Sequence, residues 1–367
     1  MARPLCVITS EIGVLSETFV RWDVEDLLPG GTVVVSDPPP KGQTVLGGAE
    51  WGTRAPRLAF DPVPGDPSPS PERHERLREF LAEHEVEAIL IEFLDVGQRW
   101  LEHVREVVPT VVIRGHGVDL SARLRDPDLV RGFRRLAAAD WITTPSQTAA
   151  DRLVGIGLPA ERVRVFRQPV DAATSPPAPR RSRGAVRCVC LGRLVPKKGI
   201  LESITAFAAA AGHGARIVLD VIGEGPLEDA ARGLAEEGGV ADRVRFHGAL
   251  PHQEALKRLR DADILLHHAA TGPDGDAEGL PVAVLEAMAA GLTVIATRHE
   301  GIAEAIEPGV SGLLVAENDV DAMAQALLDA AASRTLQEQL GRQAWEHVRR
   351  VHAADTQRQE MLDLLRI

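Results

Sequence analysis

Cysteine occurs only three times in 367 residues, at Cys6, Cys188 and Cys190, which gives no disulfide framework. Cys188 and Cys190 are expected on one strand with their side chains on opposite faces, acting as small buried hydrophobes rather than ligands. No His or Cys cluster nearby offers tetrahedral spacing, so no metal site is expected. No run approaches the roughly 18 apolar residues of a membrane span, and residues 4–9 enter a strand without a basic, apolar leader, so a cytoplasmic location is expected. Positive charge is short: the formal net charge is -12, which argues against nucleic acid as the main partner. What is present is ordinary for a soluble globular protein, with 44% hydrophobic and 26% charged residues. At 367 residues the chain has room for two full cores.

The stretch around which the rest is organised is residues 271–291, TGPDGDAEGLPVAVLEAMAAG. A loop of Gly, Asp and Pro runs into Pro281, which suits the first helical position, and the apolar run stops at Gly291, which suits a helix end. Glu286 is the only polar residue between Pro281 and Gly291. A buried carboxylate there needs a partner, because unpaired burial costs roughly 2–7 kcal/mol even for neutral polar groups. Glu278 lies in the loop, near any anion bound by the free N–H groups of residues 279–282. The residues alone leave two readings open. Either a ligand is held between the two carboxylates, or Glu286 pairs with a structural Arg and Glu278 is solvated.

The spacing of Glu278 and Glu286 matches the E-x7-E signature of the family 4 retaining glycosyltransferases, and the run DGDAEGLPVAVLEAMAAGLTVIATRHEGIAEAI resembles members that assemble exopolysaccharides such as colanic acid. The resemblance implies that Glu286 accepts hydrogen bonds from the ribose of a nucleotide sugar and that Glu278 lies beside the transferred sugar. Residues 192–199, GRLVPKKG, match the family's GR-xxxx-KG pattern, which assigns Arg193 and Lys198 to the donor diphosphate with the N–H groups of Gly279 and Leu280. Arg would meet it through its planar fork and Lys as a point charge. Lys197 is expected in solvent. Two cations opposite a diphosphate remove the strict need for magnesium, so no cofactor is expected.

The remaining chain reads as two alternating α/β series. In the first, strands are expected over residues 4–9, 32–35, 88–93, 110–114, 140–144 and 163–166, with helices over 17–28, 71–84, 100–107 and 146–154. Ser16 and Glu17 begin an SETF run similar to one the exopolysaccharide-type enzymes carry after their first strand; of the family's Gly-Gly pair only Gly13 is present. Residues 36–71 are rich in Pro and Gly and have no assigned structure. The run RGHGVD puts His116 at a strand end, where a side chain reaches substrate, although a lone His is more often structural. The family's His-Gly-x-Asp implies a place for His116 beside the donor sugar. Basic residues from Arg123 to Arg135 suit an acidic acceptor, a peripheral membrane contact or a solvated helix face.

In the second series, strands are expected over residues 187–191, 216–222, 244–247 and 264–267, and residues 293–296, 300–302 and 309–315 are expected to complete the sheet. The loops at Gly223, Gly248 and Leu250 follow the family order for the nucleotide pocket. The resemblance implies a GT-B architecture of two Rossmann-like doubly wound domains facing an interdomain cleft. Residues 1–171 would form the acceptor domain, 172–184 a linker and 185–351 the donor domain, with a C-terminal helix at about 352–367 packing back on the first. The expected function is retaining transfer of a sugar from a UDP- or GDP-type nucleotide diphosphate sugar to a hydroxyl of a saccharide, lipid-linked or natural-product acceptor. The competing readings are a GT-B epimerase or hydrolase acting on the nucleotide sugar, and a non-catalytic binding subunit.

Overall fold

In the computed structural model, the described residues are 3–10, 17–37, 55–61, 70–177 and 184–367. They form two compact units, Met1–Arg167 with Asp355–Ile367, and Gln168–Ala354. The first holds a parallel sheet of β1 (Leu5–Thr9), β2 (Thr32–Ser36), β3 (Arg57–Ala59), β4 (Ala88–Glu92), β5 (Thr110–Arg114), β6 (Trp141–Thr144) and β7 (Val163–Val165) in the order β3-β2-β1-β4-β5-β6-β7. The second holds β8 (Val186–Leu191), β9 (Ile217–Ile222), β10 (Val244–Phe246), β11 (Ile264–His267), β12 (Thr293–Thr297) and β13 (Leu313–Val315) in the order β10-β9-β8-β11-β12-β13. Both orders reverse beside the first strand of the unit, the arrangement that opens a ligand crevice at the carboxyl ends of the central strands.

The central strands are apolar without interruption because helices cover both faces of a parallel sheet. In the first unit Cys6, Ile8, Ile89 and Ile91 point to one face, where Leu77 and Trp100 pack from helices Pro71–Glu83 and Leu94–Arg105. Leu5, Val7 and Leu90 point to the other, covered by Val20 and Val24 of helix Thr18–Glu25 and by Met361 and Leu365 of helix Ala354–Leu365. Fully burying each such side chain contributes roughly 1.5–3 kcal/mol.

Several expectations change. Cys188 and Cys190 are both buried in the same core, because residues two apart on a strand share a face. Residues 300–302 begin the helix Glu300–Ala305 instead of joining the sheet; only Leu313–Val315 does so at that edge. Pro281 is the N-cap, at φ -64° and ψ 123°, of the helix Val282–Ala289, one position earlier than expected. Within residues 36–71 the structure adds the edge strand β3, whose residues are exposed or half-buried and so carry no strand pattern.

Candidate active site

The site in the second unit begins where β8 ends. Gly192, Arg193 and Leu194 lead into a single 3-10 turn, Pro196–Lys198, and Gly199 then caps helix Ile200–Gly212 in the left-handed conformation, φ 62°. A side chain at Gly199 would stand 1.7 Å from the backbone oxygen of His268, so the β8 loop can press on the end of β11 only with glycine here. Gly223 does the same after β9: at φ 133°, a Cβ would lie 1.9 Å from the Gly192 oxygen. Its N–H donates to the Gly248 oxygen at 2.8 Å, which ties the β9 and β10 loops together.

Lys198 and Glu278 are thereby brought together from 80 residues apart, with Nζ 2.6 Å from Oε2. Lys197 is a correction to the expectation of a solvated side chain. It is 7% exposed, and its ammonium sits 2.9 Å from Asp276 and 3.4 Å from the second oxygen of Glu278. The two lysines outweigh the burial of Glu278 and hold its carboxyl well below the usual range. Burial lowers the Lys198 ammonium, and Glu278 pulls it back in part. Arg193 is exposed and has no ion pair among the described residues. His267, the last residue of β11, is 3% exposed and faces the same pair; burial and the nearby Lys198 bring it down to about 3, so its ring is neutral.

The N–H groups of Gly279 and Leu280 have no acceptor among the described residues, whereas the Gly279 oxygen accepts from Gly301 at 2.8 Å. Glu286 is buried on the helix that follows, and its partner is a histidine instead of an arginine: His252 Nε2 lies 2.6 Å from Oε1. His252 opens helix His252–Arg260 just after Leu250, so the Gly223, Gly248 and Leu250 loops and Glu286 form one neighbourhood.

A second polar cluster lies in the first unit. Arg114, at the end of β5, meets Asp23 at 2.6 Å and Glu92 at 3.9 Å, all nearly or fully buried. Glu92 in turn lies 2.6 Å from His116 Nε2. Asp119 accepts from the backbone N–H groups of His116 and Leu94, each at 2.7 Å. The His116 ring is flanked by Phe19 and Phe93, with centroids 4.1 and 4.8 Å away. Phe93 holds φ 74°, a strained value of the kind that gathers at functional sites. Burial raises the carboxyls of Asp23 and Glu92, Arg114 pulls both back in part, and burial lowers His116 to about 4.

Residues 177–347 match the family model described as "Glycosyl transferases group 1". Over 315 residues the chain is 30% identical to the GDP-mannose-dependent alpha-(1-6)-phosphatidylinositol monomannoside mannosyltransferase of Mycobacterium tuberculosis, covering 81% of this chain and 80% of that one. The chain belongs to the group 1 glycosyltransferases. It is also 37% identical over 227 residues to WcaL of Escherichia coli K12, named for colanic acid biosynthesis, covering 59% of this chain and 55% of WcaL. The chain thus spans about half the length of the WcaL and AmsK relatives it matches, 55% and 53%. Among solved structures, HepE of Anabaena in complex with UDP superposes with a TM-score of 0.78 at 16% identity over 100% of both chains. Sucrose-phosphate synthase from Thermosynechococcus elongatus gives 0.75 at 17% identity, covering 99% and 98% of the two chains. The fold is therefore GT-B.

The structure brings Lys198 to Glu278, which precedes Gly279 and Leu280, and ties the Gly223 loop to Gly248, while Glu286 meets His252 two residues after Leu250. Gly13 and Ser16 lie outside the described residues, and Glu17 is half-buried immediately before helix Thr18–Glu25. The basic run breaks up: Arg123 pairs with Asp95 and Arg131 with Asp128, Arg134 donates to the Ile156 oxygen, and Arg125 and Arg135 are exposed. Sequence reasoning missed Asp23, Glu92, His252, His267, His299 and Glu317. Only the RHEG run next to the E-x7-E stretch offered a signal, for His299; the others become visible through long-range contact.

Proposed function

We propose that the chain transfers a sugar, with retention and without a metal ion, from a nucleotide diphosphate sugar to a hydroxyl of a saccharide, lipid-linked or small-molecule acceptor in the cytoplasm. The observation that carries the reading is the Lys198–Glu278 pair at the switch point of the second sheet, with Arg193 exposed beside it and the Gly279 and Leu280 N–H groups without acceptors. An ammonium and a guanidinium with two backbone donors suit a diphosphate. As the glycosidic bond breaks, negative charge grows on the leaving phosphate, and donors already fixed in place stabilise it without reorganising. These cations belong to the chain itself, which favours metal independence.

Glu286 receives the ribose hydroxyls, with His252 holding its other face, and Glu278 orients the sugar. Retention, the part played by a donor phosphate oxygen in taking the acceptor proton, and the contact of His116 with the sugar rest on the family resemblance. The relatives' names supply both candidate nucleotides: the mannosyltransferase is GDP-mannose-dependent, and HepE structures hold UDP and UDP-glucose. The test is thermal unfolding with UDP, GDP and other nucleoside diphosphates, with magnesium and with chelator. A ligand at 100 times its Kd stabilises by about 2.7 kcal/mol. One nucleotide is expected to raise the midpoint by a few degrees in chelator. If none does, the donor-site reading fails; if stabilisation requires magnesium, metal independence fails.

A further inference from the structure

The loop after β11 is tethered by an acid–imidazole pair supplied by the next two strands. His299 follows β12 and is 1% exposed; Glu317 follows β13. One Glu317 oxygen lies 2.6 Å from His299 Nδ1, and the other accepts from the Thr271 N–H at 3.2 Å. At the other end of the loop, the Glu278 N–H donates to His299 Nε2 at 3.2 Å. An imidazole nitrogen accepts a hydrogen bond only while it carries no proton, so the ring proton is on Nδ1 and Glu317 holds that tautomer. The backbone beside it is equally constrained. Gly301 donates to the Gly279 oxygen at 2.8 Å, and Glu300, between His299 and Gly301, is held at φ 40°. A non-glycine residue stays there only when its surroundings over-determine it.

We propose that Glu317 and His299 are positioning residues. By fixing one imidazole tautomer they hold residues 271–278 at both ends and so set where Glu278 stands against Lys198 and the donor sugar. The catalytic consequence rests on the donor-site reading, whereas the tether can be read without substrate. The Gln and Asn variants of His299 separate its two bonds. A Gln side-chain oxygen reaches the place of Nε2 and can accept from Glu278, while an Asn amide stays near Nδ1 and cannot. Glu317→Gln puts an NH2 where a second acceptor is needed, so either Thr271 or the Nδ1 proton loses its partner.

The experiment is hydrogen–deuterium exchange of the full chain as wild type, His299→Asn, His299→Gln and Glu317→Gln. It is paired with kcat and KM for hydrolysis, water taking the sugar, of UDP-glucose to UDP or of GDP-mannose to GDP. His299→Asn and Glu317→Gln are expected to speed exchange over residues 271–280 by about tenfold, the worth of one buried hydrogen bond. They should lower kcat by about tenfold while KM stays within about threefold, and His299→Gln should recover most of the loss. Unchanged exchange in folded Asn and Glu317→Gln variants overturns the tether. Faster exchange with unchanged kcat, or a Gln variant no better than Asn, overturns the positioning role. Faster exchange in a chain that no nucleoside diphosphate stabilises against heat leaves the tether standing and removes the donor-site reading. Should His299→Asn not fold, Glu317→Gln decides on the exchange readout.

Discussion

The two units place polar clusters at the carboxyl ends of sheets with the same strand order, and give them opposite electrostatics. In the first, Asp23, Glu92 and Asp119 stand against Arg114 and a neutral His116, and burial raises all three carboxyls. In the second, Lys197, Lys198 and Arg193 stand against Asp276 and Glu278, and the Glu278 carboxyl is lowered. A buried cluster with surplus acid and one arginine has no cation to spare for an arriving anion. In the other, the two lysines match the two carboxylates and Arg193 is the cation left over, exposed and unpaired among the described residues. On the proposed reading, the difference explains how one topology used twice would supply one anion site: the residues at the strand ends decide, and the fold only places them.

The largest expected effect breaks the first cluster. Arg114→Met leaves Asp23 and Glu92 buried without their cation, a loss of roughly 3–5 kcal/mol. Urea unfolding followed through Trp22, Trp100 and Trp141 of the first unit should show it, and a loss under 1 kcal/mol would mean that the two carboxyls do not depend on the guanidinium.

Next is the second cluster. Lys198→Ala removes charged hydrogen bonds of roughly 1.5–3 kcal/mol, so nucleotide diphosphate binding should weaken about 10- to 100-fold by calorimetry. Equal affinity in the variant would place the anion elsewhere.

The smallest effect is a pH profile. His116 falls from 6.5 to about 4 on burial, so between those values the unfolded chain binds more protons than the folded one. Its contribution to stability is therefore complete above 6.5 and is lost as pH falls toward 4. His116→Gln should flatten the slope of the curve in that window by roughly 1 kcal/mol per pH unit relative to wild type. Parallel profiles would show that the ring is charged already.

Much of the second site could be read along the chain, because its parts are local. The Glu278–Glu286 spacing falls within one loop and helix between β11 and β12, the loop from Gly192 to Gly199 directly follows a strand, and strand ends follow from apolar runs such as VVV at 33–35 and VIAT at 294–297. Even there, the burial of Lys197 was illegible, since it depends on Asp276 and Glu278, some 80 residues away in sequence. The first cluster was nearly silent. His116 stood in a motif, but Asp23 reads as one more charged residue on helix Thr18–Glu25 and finds Arg114 across 91 residues.

By itself the sequence determined the alternation of buried strands and helices, the two-unit count and the residue types of the Glu278 loop, because periodicity and turn chemistry act over a few residues. Only the tertiary structure decided which charges are paired, which carboxyls are raised and which lowered, that His252 meets Glu286 and that His299 and Glu317 meet the Glu278 loop. Those outcomes depend on burial and on distances of a few ångströms between segments far apart in the chain, and electrostatic energy is set by those two quantities.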